Sequence, residues 1–203
     1  MGKFALSLSI LVCGCGILAA QETSGFSASV GAGFTTPVGN FGSNLDTGWN
    51  VRASAGWNFT NQVGANLNFG FDHMGFNSSV VTSQGVGGGY NDVFSATLDP
   101  IIHLTPHGPV GLYITGGGGF FHDYQAFTNP GVAVVPGFFF PYVTPANIVV
   151  SSYSTNKPGI DAGAGIEFGH RWGGKFFAEA RWDRIFLNNY HMDFVPVTFG
   201  FRK

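Results

Sequence analysis

Little in this chain is charged. Asp, Glu, Lys and Arg make up 10% of its 203 residues, against roughly 25% in ordinary soluble domains. Apolar residues nevertheless reach 44% and aromatic ones 16%. A soluble all-β protein this poor in charge would expose more apolar surface than water tolerates. Cysteine is scarce as well. Cys13 and Cys15 are the only two, and both fall within the first 20 residues. A chain cut after Ala20 therefore has no disulfide, thiol nucleophile or cysteine-ligated metal. Long apolar runs are missing too. A membrane-spanning helix needs about 20 apolar residues, and the longest tract after Gln21, Gly131 to Val143, is broken by Pro136 and Pro141. A membrane protein without such a helix has to satisfy its backbone as a closed barrel. The slightly acidic net charge of −2 argues against nucleic acid as a partner.

The start of the chain explains the cysteines. Lys3 supplies a short positive region, Phe4 to Val12 an apolar core, and Leu18-Ala19-Ala20 a cleavage site before Gln21. Residues 1–20 are thus predicted to be a secretory signal peptide, and 21–203 a single mature domain. A lipid-modified Cys15 is the alternative reading of the same stretch.

What is abundant is alternation. In Lys175 to Phe186, KFFAEARWDRIF, the residues Phe176, Ala178, Ala180, Trp182 and Phe186 share one face, interrupted only by Arg184. Phe177, Glu179, Arg181, Asp183 and Ile185 share the other. A period of two belongs to a strand. Parity does not say which face points inward, but the shortage of charge does: lipid outside and paired charge inside reconcile the two. Similar runs start near Phe26, Trp49, Val63, Phe94, Val110, Ile160 and Val195, which makes about eight strands. Pro100 lacks a ladder donor and demotes the fourth. Thr60-Asn61-Gln62, Thr105 to Pro109 and Trp172-Gly173-Gly174 read as tight turns, whereas Val38 to Asp46, Gly75 to Tyr90 and Gln125 to Lys157 read as long loops. Trp49, Trp57, Phe59, Phe71, Trp172 and Phe201 fall near strand ends, where an interfacial aromatic girdle belongs. The predicted fold is all-β, an eight-stranded antiparallel up-and-down transmembrane β-barrel.

That chain plan and the closing run Phe194 to Phe201, FVPVTFGF, resemble the small eight-stranded outer-membrane barrels, the OmpA/OmpX-like family of Gram-negative bacteria. The resemblance covers nearly the whole mature chain and implies an outer-membrane location in a Gram-negative cell. It also implies contact with outer-membrane lipids and lipopolysaccharide. The chain departs from the family at its end, where Arg202 and Lys203 follow Phe201, although family members usually stop on an aromatic residue. No cell-wall-binding domain is implied.

The inward row of Arg52, Asp72, Asp99, Asp161, Glu167, Arg171, Glu179, Arg181 and Asp183 is the most informative polar set. Eight strands leave room only for side chains, so these charges are expected to pair as a plug. Glu167, Glu179 and Arg181 are expected at its centre, with Arg52, Asp161 and Asp183 nearby. Other chemistry finds little support. Gly116 to Gly119 leads to Phe120-Phe121, with no Lys or helix start to cradle phosphate. Of the six histidines, His103 and His107 have helical ligand spacing, but Pro106 and Gly108 put them at a turn, and no His-x-Ser occurs of the kind found in the family's lipid A deacylases. No catalytic residue, metal or cofactor is assigned. The apolar stretch Gly131 to Val143 is either an extension of strands five and six or an outer contact patch for a surface or protein ligand, with Phe138, Phe139, Phe140 and Tyr142 as its core. The expectation is a monomeric, non-enzymatic barrel; a narrow channel or small apolar-molecule transporter, and a lipid A-modifying enzyme, are the alternatives.

Overall fold

The computed structural model describes residues 25–106, 110–136, 140–170, 174–188 and 190–203. The leader, Arg171, Trp172, Phe138, Phe139 and the Tyr142 side chain lie outside what is described. Eight strands follow one another: β1 (Gly25–Val38), β2 (Gly48–Asn58), β3 (Val63–Gly75), β4 (Gly88–His103), β5 (Val110–Val135), β6 (Tyr142–His170), β7 (Gly174–Phe186) and β8 (His191–Arg202). Each pairs antiparallel with the next, and β8 returns to β1, so the ring closes in chain order. At the seam, Ala28 and Lys203 exchange both backbone hydrogen bonds, at 2.7 and 2.8 Å. No unpaired edge is left in the barrel wall, as a hydrocarbon environment requires.

The alternation legible in the sequence sets the two faces. On β2, Trp49, Val51 and Trp57 are exposed outward while Asn50 and Arg52 are buried in the lumen. On β7, Phe177, Glu179, Arg181, Asp183 and Ile185 are all buried, and Phe176 faces out. The outward apolar band on β5 runs from Val110 to Phe120, which at strand rise and tilt spans about 24 Å of bilayer. Above it the outer wall turns polar. Trp49, His73, Asp92 and Tyr124 are in register across β2 to β5, and His73 Nδ1 lies 2.6 Å from Asp92 Oδ1. On the opposite wall Arg184, the one charge in the apolar row of β7, binds Asp193 through two hydrogen bonds of 2.7 and 2.8 Å and stacks over Trp182. These rows mark the headgroup level.

Three expectations are corrected. Gln125 to Lys157 is not a loop: β5 and β6 run 26 and 29 residues and pair from Val110↔Phe168 up to Val135↔Tyr142. Their upper parts leave the ring as a two-stranded ribbon, because β4 stops pairing with β5 at Thr128 and β7 stops pairing with β6 at Gly159. Low charge and β-branched residues favour extension, and the ribbon's own ladder satisfies its backbone. Second, Pro100 weakens β4 on one side only. The ladder to β3 runs straight through it, whereas the ladder to β5 is interrupted between Leu98 and Ile101, where Thr115 Oγ1 donates to the Pro100 carbonyl at 3.1 Å. Third, the loop after β3 contains a short helix, α1 (Ser78–Ser83), whose N-cap is Asn77, with its side chain accepting from Val80 N at 3.1 Å.

Candidate functional site

Inward parity brings side chains from all eight strands into one lumen, and their character changes in tiers along it. Nearest the short turns, Glu167 of β6 accepts from Lys175 Nζ at 3.1 Å and is paired with Arg202. Arg202 is sandwiched by the rings of Tyr113 and Phe177, at 4.6 and 5.2 Å, and Tyr113 OH donates to Glu179 Oε2 at 2.8 Å. Gly165, cross-strand from Tyr113, leaves the space this ring fills; a Cβ there would collide with it.

Arg181 forms the middle tier. Its Nε donates to Glu179 Oε1 at 3.0 Å, and its Nη1 donates both to Asp161 Oδ2 at 2.7 Å and to Asp99. Asn68 and Thr97 also donate to Asp99, on the same Oδ2 that Arg181 reaches. One tier higher, Arg52 Nη2 bridges Asp183 Oδ2 at 2.6 Å and Asp72 Oδ2 at 3.3 Å, and Asp72 also accepts from Thr35. Asn50 links this tier to β8 through Thr198, whose hydroxyl donates to Asn50 Oδ1 at 3.0 Å. A buried guanidinium is tolerable here because two or more carboxylates surround it and accept its hydrogens.

Above the charges the lumen is apolar. Leu45, Met74, Val93, Phe121, Ile185, Met192 and Phe194 are buried against one another, with Phe41, Phe76 and Leu187 of the outer connections packed on them.

Of the six charges expected to form the plug, Arg52, Asp161, Glu167, Glu179, Arg181 and Asp183 are all buried in this lumen. Arg181 gathers Asp161 and Glu179, and Arg52 gathers Asp183. Glu167 is not at the centre: it belongs to the lowest tier, with Lys175 and Arg202 as its partners. Arg202, a departure from the family pattern at the chain end, shares parity with Thr198 and Gly200, and that parity is the signal for its inward position. The apolar cap had a signal too. Phe120-Phe121 and Ile185-Phe186 place apolar residues on both faces, which the lipid-facing row alone does not require. Of the expected outer patch, Phe140 is 82% exposed beyond the end of the ribbon.

Comparison with known proteins gives a consistent picture. The model of the outer membrane protein beta-barrel domain family matches residues 5–202. Among solved structures, the chain is similar to Neisserial surface protein A, at 15% identity over 90% of this chain and 98% of that one, with a TM-score of 0.59. It is similar to a major outer membrane protein from Thermus thermophilus, at 14% identity over 88% and 98%, with a TM-score of 0.55. It is also similar to Ail, the attachment invasion locus protein of Yersinia pestis, in complex with the heparin analogue sucrose octasulfate. That match has 22% identity over 90% and 100%, with a TM-score of 0.51. No curated protein sequence matches the chain.

Proposed function

The chain belongs to the outer membrane protein beta-barrel family, and from that premise we propose that it is a sealed, non-enzymatic barrel that braces the outer membrane and presents a ribbon for contact. Closure of the lumen carries this reading. Three ion-paired tiers lie beneath a layer of seven buried apolar side chains. Eight strands leave an interior that side chains fill, whereas water-filled pores are built from about sixteen. An ion entering this lumen would have to break buried salt bridges and then cross an apolar layer.

The contact surface is the β5–β6 ribbon, with outer-membrane lipid and lipopolysaccharide around its base and a surface or protein ligand beyond. Residues 124–156 contain no Asp, Glu, Lys, Arg or His. Val132, Val134, Val143 and Phe140 are all exposed on it, and Phe138, Phe139 and Tyr142 complete the proposed patch. A surface of this kind suits an uncharged, apolar partner. The sulfated ligand bound to Ail is a poor guide here, because the ribbon has no cation to receive it. A lipid-modifying enzyme is disfavoured as well. At the headgroup level His73 and His122 bond Asp92 and Asn156, and neither is bonded to a serine.

Planar bilayers containing the purified protein test the sealed barrel directly. No unitary current is expected, and steady single-channel steps that scale with salt would overturn the reading in favour of a narrow channel.

A further inference from the structure

At the headgroup level the two outer walls of the barrel differ. Across β2 to β6, two outward rows are in register. The lower holds Phe71, Phe94, His122 and Asn156, and the upper Trp49, His73, Asp92, Tyr124 and Ser154. Tyr90 stands two residues before Asp92 on the same face of β4. Ring contacts join the rows into one strip. Trp49 lies 5.2 Å from Phe71 and 5.6 Å from His73 between centroids, and Phe71 lies 4.6 Å from Phe94. Tyr90 lies 5.6 Å from His73 and 6.2 Å from Tyr124. The opposite wall is ionic instead: Arg184 and Asp193 close an ion pair on each other, with His191 3.6 Å from Asp193. An interfacial aromatic girdle has no preferred wall, so this concentration on one side needs a separate reason.

The polar groups of the strip are held ready for a ligand. His73 and His122 each engage Nδ1 within the wall, at 2.6 Å from Asp92 and 2.7 Å from Asn156. Those bonds fix both rings and leave each Nε2 for a molecule outside. The Tyr90 and Tyr124 hydroxyls, within hydrogen-bond reach of each other, add a further donor. Cations are missing. Arg52, which is buried in the lumen, is the only Lys or Arg between Gly48 and Val135, so a phosphate would find no countercharge here and would meet Asp92. Flat rings interleaved with imidazole, phenol and amide groups suit a sugar instead. The C–H face of a pyranose packs on aromatic rings, and its hydroxyls take up the hydrogen bonds. Position fixes the source of that sugar. The next outward row below is Phe69, Ala96 and Phe120, part of the lipid-facing band, with Phe120 73% exposed. A lipid whose acyl chains lie on that row sets its headgroup on the strip.

We propose that the strip on β2 to β6 is a binding site for the sugar headgroup of an outer-leaflet glycolipid, whose acyl chains lie on the apolar band beneath it. The inference rests on the outer-membrane reading above and deepens it. It names the part of lipopolysaccharide that is recognised, the sugar rather than the phosphate, and it confines recognition to one wall. A headgroup seated there touches several strands at once and braces the wall at the foot of the β5–β6 ribbon.

The test uses the purified barrel in phosphatidylcholine vesicles, with its thermal unfolding midpoint followed by gel mobility. One series also contains dephosphorylated lipid A, which keeps the sugars and acyl chains and lacks phosphate. A second contains phosphatidylglycerol, which has phosphate and no sugar ring. A lipid that binds the folded barrel raises its midpoint. Dephosphorylated lipid A is expected to raise it and phosphatidylglycerol to leave it unchanged. No rise with the first, or an equal rise with the second, overturns the site. An equal rise with a soluble glucosamine disaccharide overturns the membrane source. His73→Ala combined with Asp92→Ala leaves neither partner orphaned and is expected to lose most of the rise. Tyr90→Phe combined with Tyr124→Phe keeps both rings and is expected to lose part of it. Full rises in both double variants mean that the lipid binds elsewhere. Arg184→Gln combined with Asp193→Asn is expected to keep the full rise, and a loss there assigns the lipid to the opposite wall. Heat-modifiable migration in phosphatidylcholine alone reports the barrel without any sugar. Its loss fails the barrel reading, whereas a lost rise with the barrel intact fails the headgroup site alone.

Discussion

Arg181 is the residue on which most of the lumen depends, since Glu179, Asp161 and Asp99 all converge on its guanidinium. Removing one partner of a buried ion pair leaves the others uncompensated, typically at about 3–5 kcal/mol. Arg181→Ala is therefore expected to lower the unfolding free energy of the refolded barrel by that order, as read from urea titration. Arg181→Ala combined with Asp161→Asn is expected to recover part of the loss, because one orphaned charge is gone. Arg181→Lys should restore little, since a single ammonium cannot replace a planar fork that reaches three carboxylates. Gly165 provides a steric counterpart. Gly165→Val drives a branched side chain into the Tyr113 ring, an overpacking cost of about 1–3 kcal/mol. Equilibrium unfolding of the variant measures it, and an unchanged midpoint would show that Tyr113 can move aside.

Ribbon and barrel are separable at the scale of elements. Above Thr128 and Gly159 neither β4 nor β7 supports the ribbon, so its hydrogen bonds are those of one hairpin. Replacing residues 129–147 with a short Gly-Ser turn is expected to leave an outer-membrane barrel that still migrates as a folded species in cold SDS. The same change should abolish binding of expressing cells to apolar surfaces, as counted by retention on hydrophobic beads. Retention at the wild-type level would remove the ribbon from the proposed function without touching the sealed lumen. The helix α1 is a smaller case. It is six residues long and held by the Asn77 cap, so Asn77→Ala should cost about 1 kcal/mol of local order. Hydrogen exchange at Val80 and Val81 would report it, with no change expected in the barrel strands.

Closure is the property of the whole molecule. The seam between β1 and β8 runs from Val38↔Asp193 to Ser29↔Arg202, and Lys203 still pairs with Ala28. Arg202 also locks the lumen through Glu167, Tyr113 and Phe177. Truncation after Phe201 therefore removes a backbone pair and a lumen cation at once. The truncated chain is expected to lose its heat-modifiable form at a lower temperature than the full chain. Arg202→Ala should show an intermediate loss, because it keeps the seam. Equal behaviour of the truncation and the wild type would show that the terminal pair contributes nothing to closure.

The amino-acid sequence determined by itself the strand count, the two faces of each strand and the choice of lipid for the outer one. Those follow from a local period of two and from a charge content too low for a water-facing sheet. The inward parity of Glu179, Arg181 and Asp183 needs only their own neighbours in the chain. Partner choice does not follow from parity. Arg181 meets Asp99, 82 residues away, and Arg52 meets Asp183, 131 residues away. Those distances close only when strand register and barrel closure set the height of each side chain. The length of the ribbon was hidden for a related reason. Gly, Pro and small polar residues within 125–157 read as breaks when strands are sought one at a time, but β5 and β6 sustain each other through a shared ladder. The apolar cap is likewise a tertiary decision: Leu45 and Phe76 come from outer connections and reach the lumen only because the ring beneath them is closed.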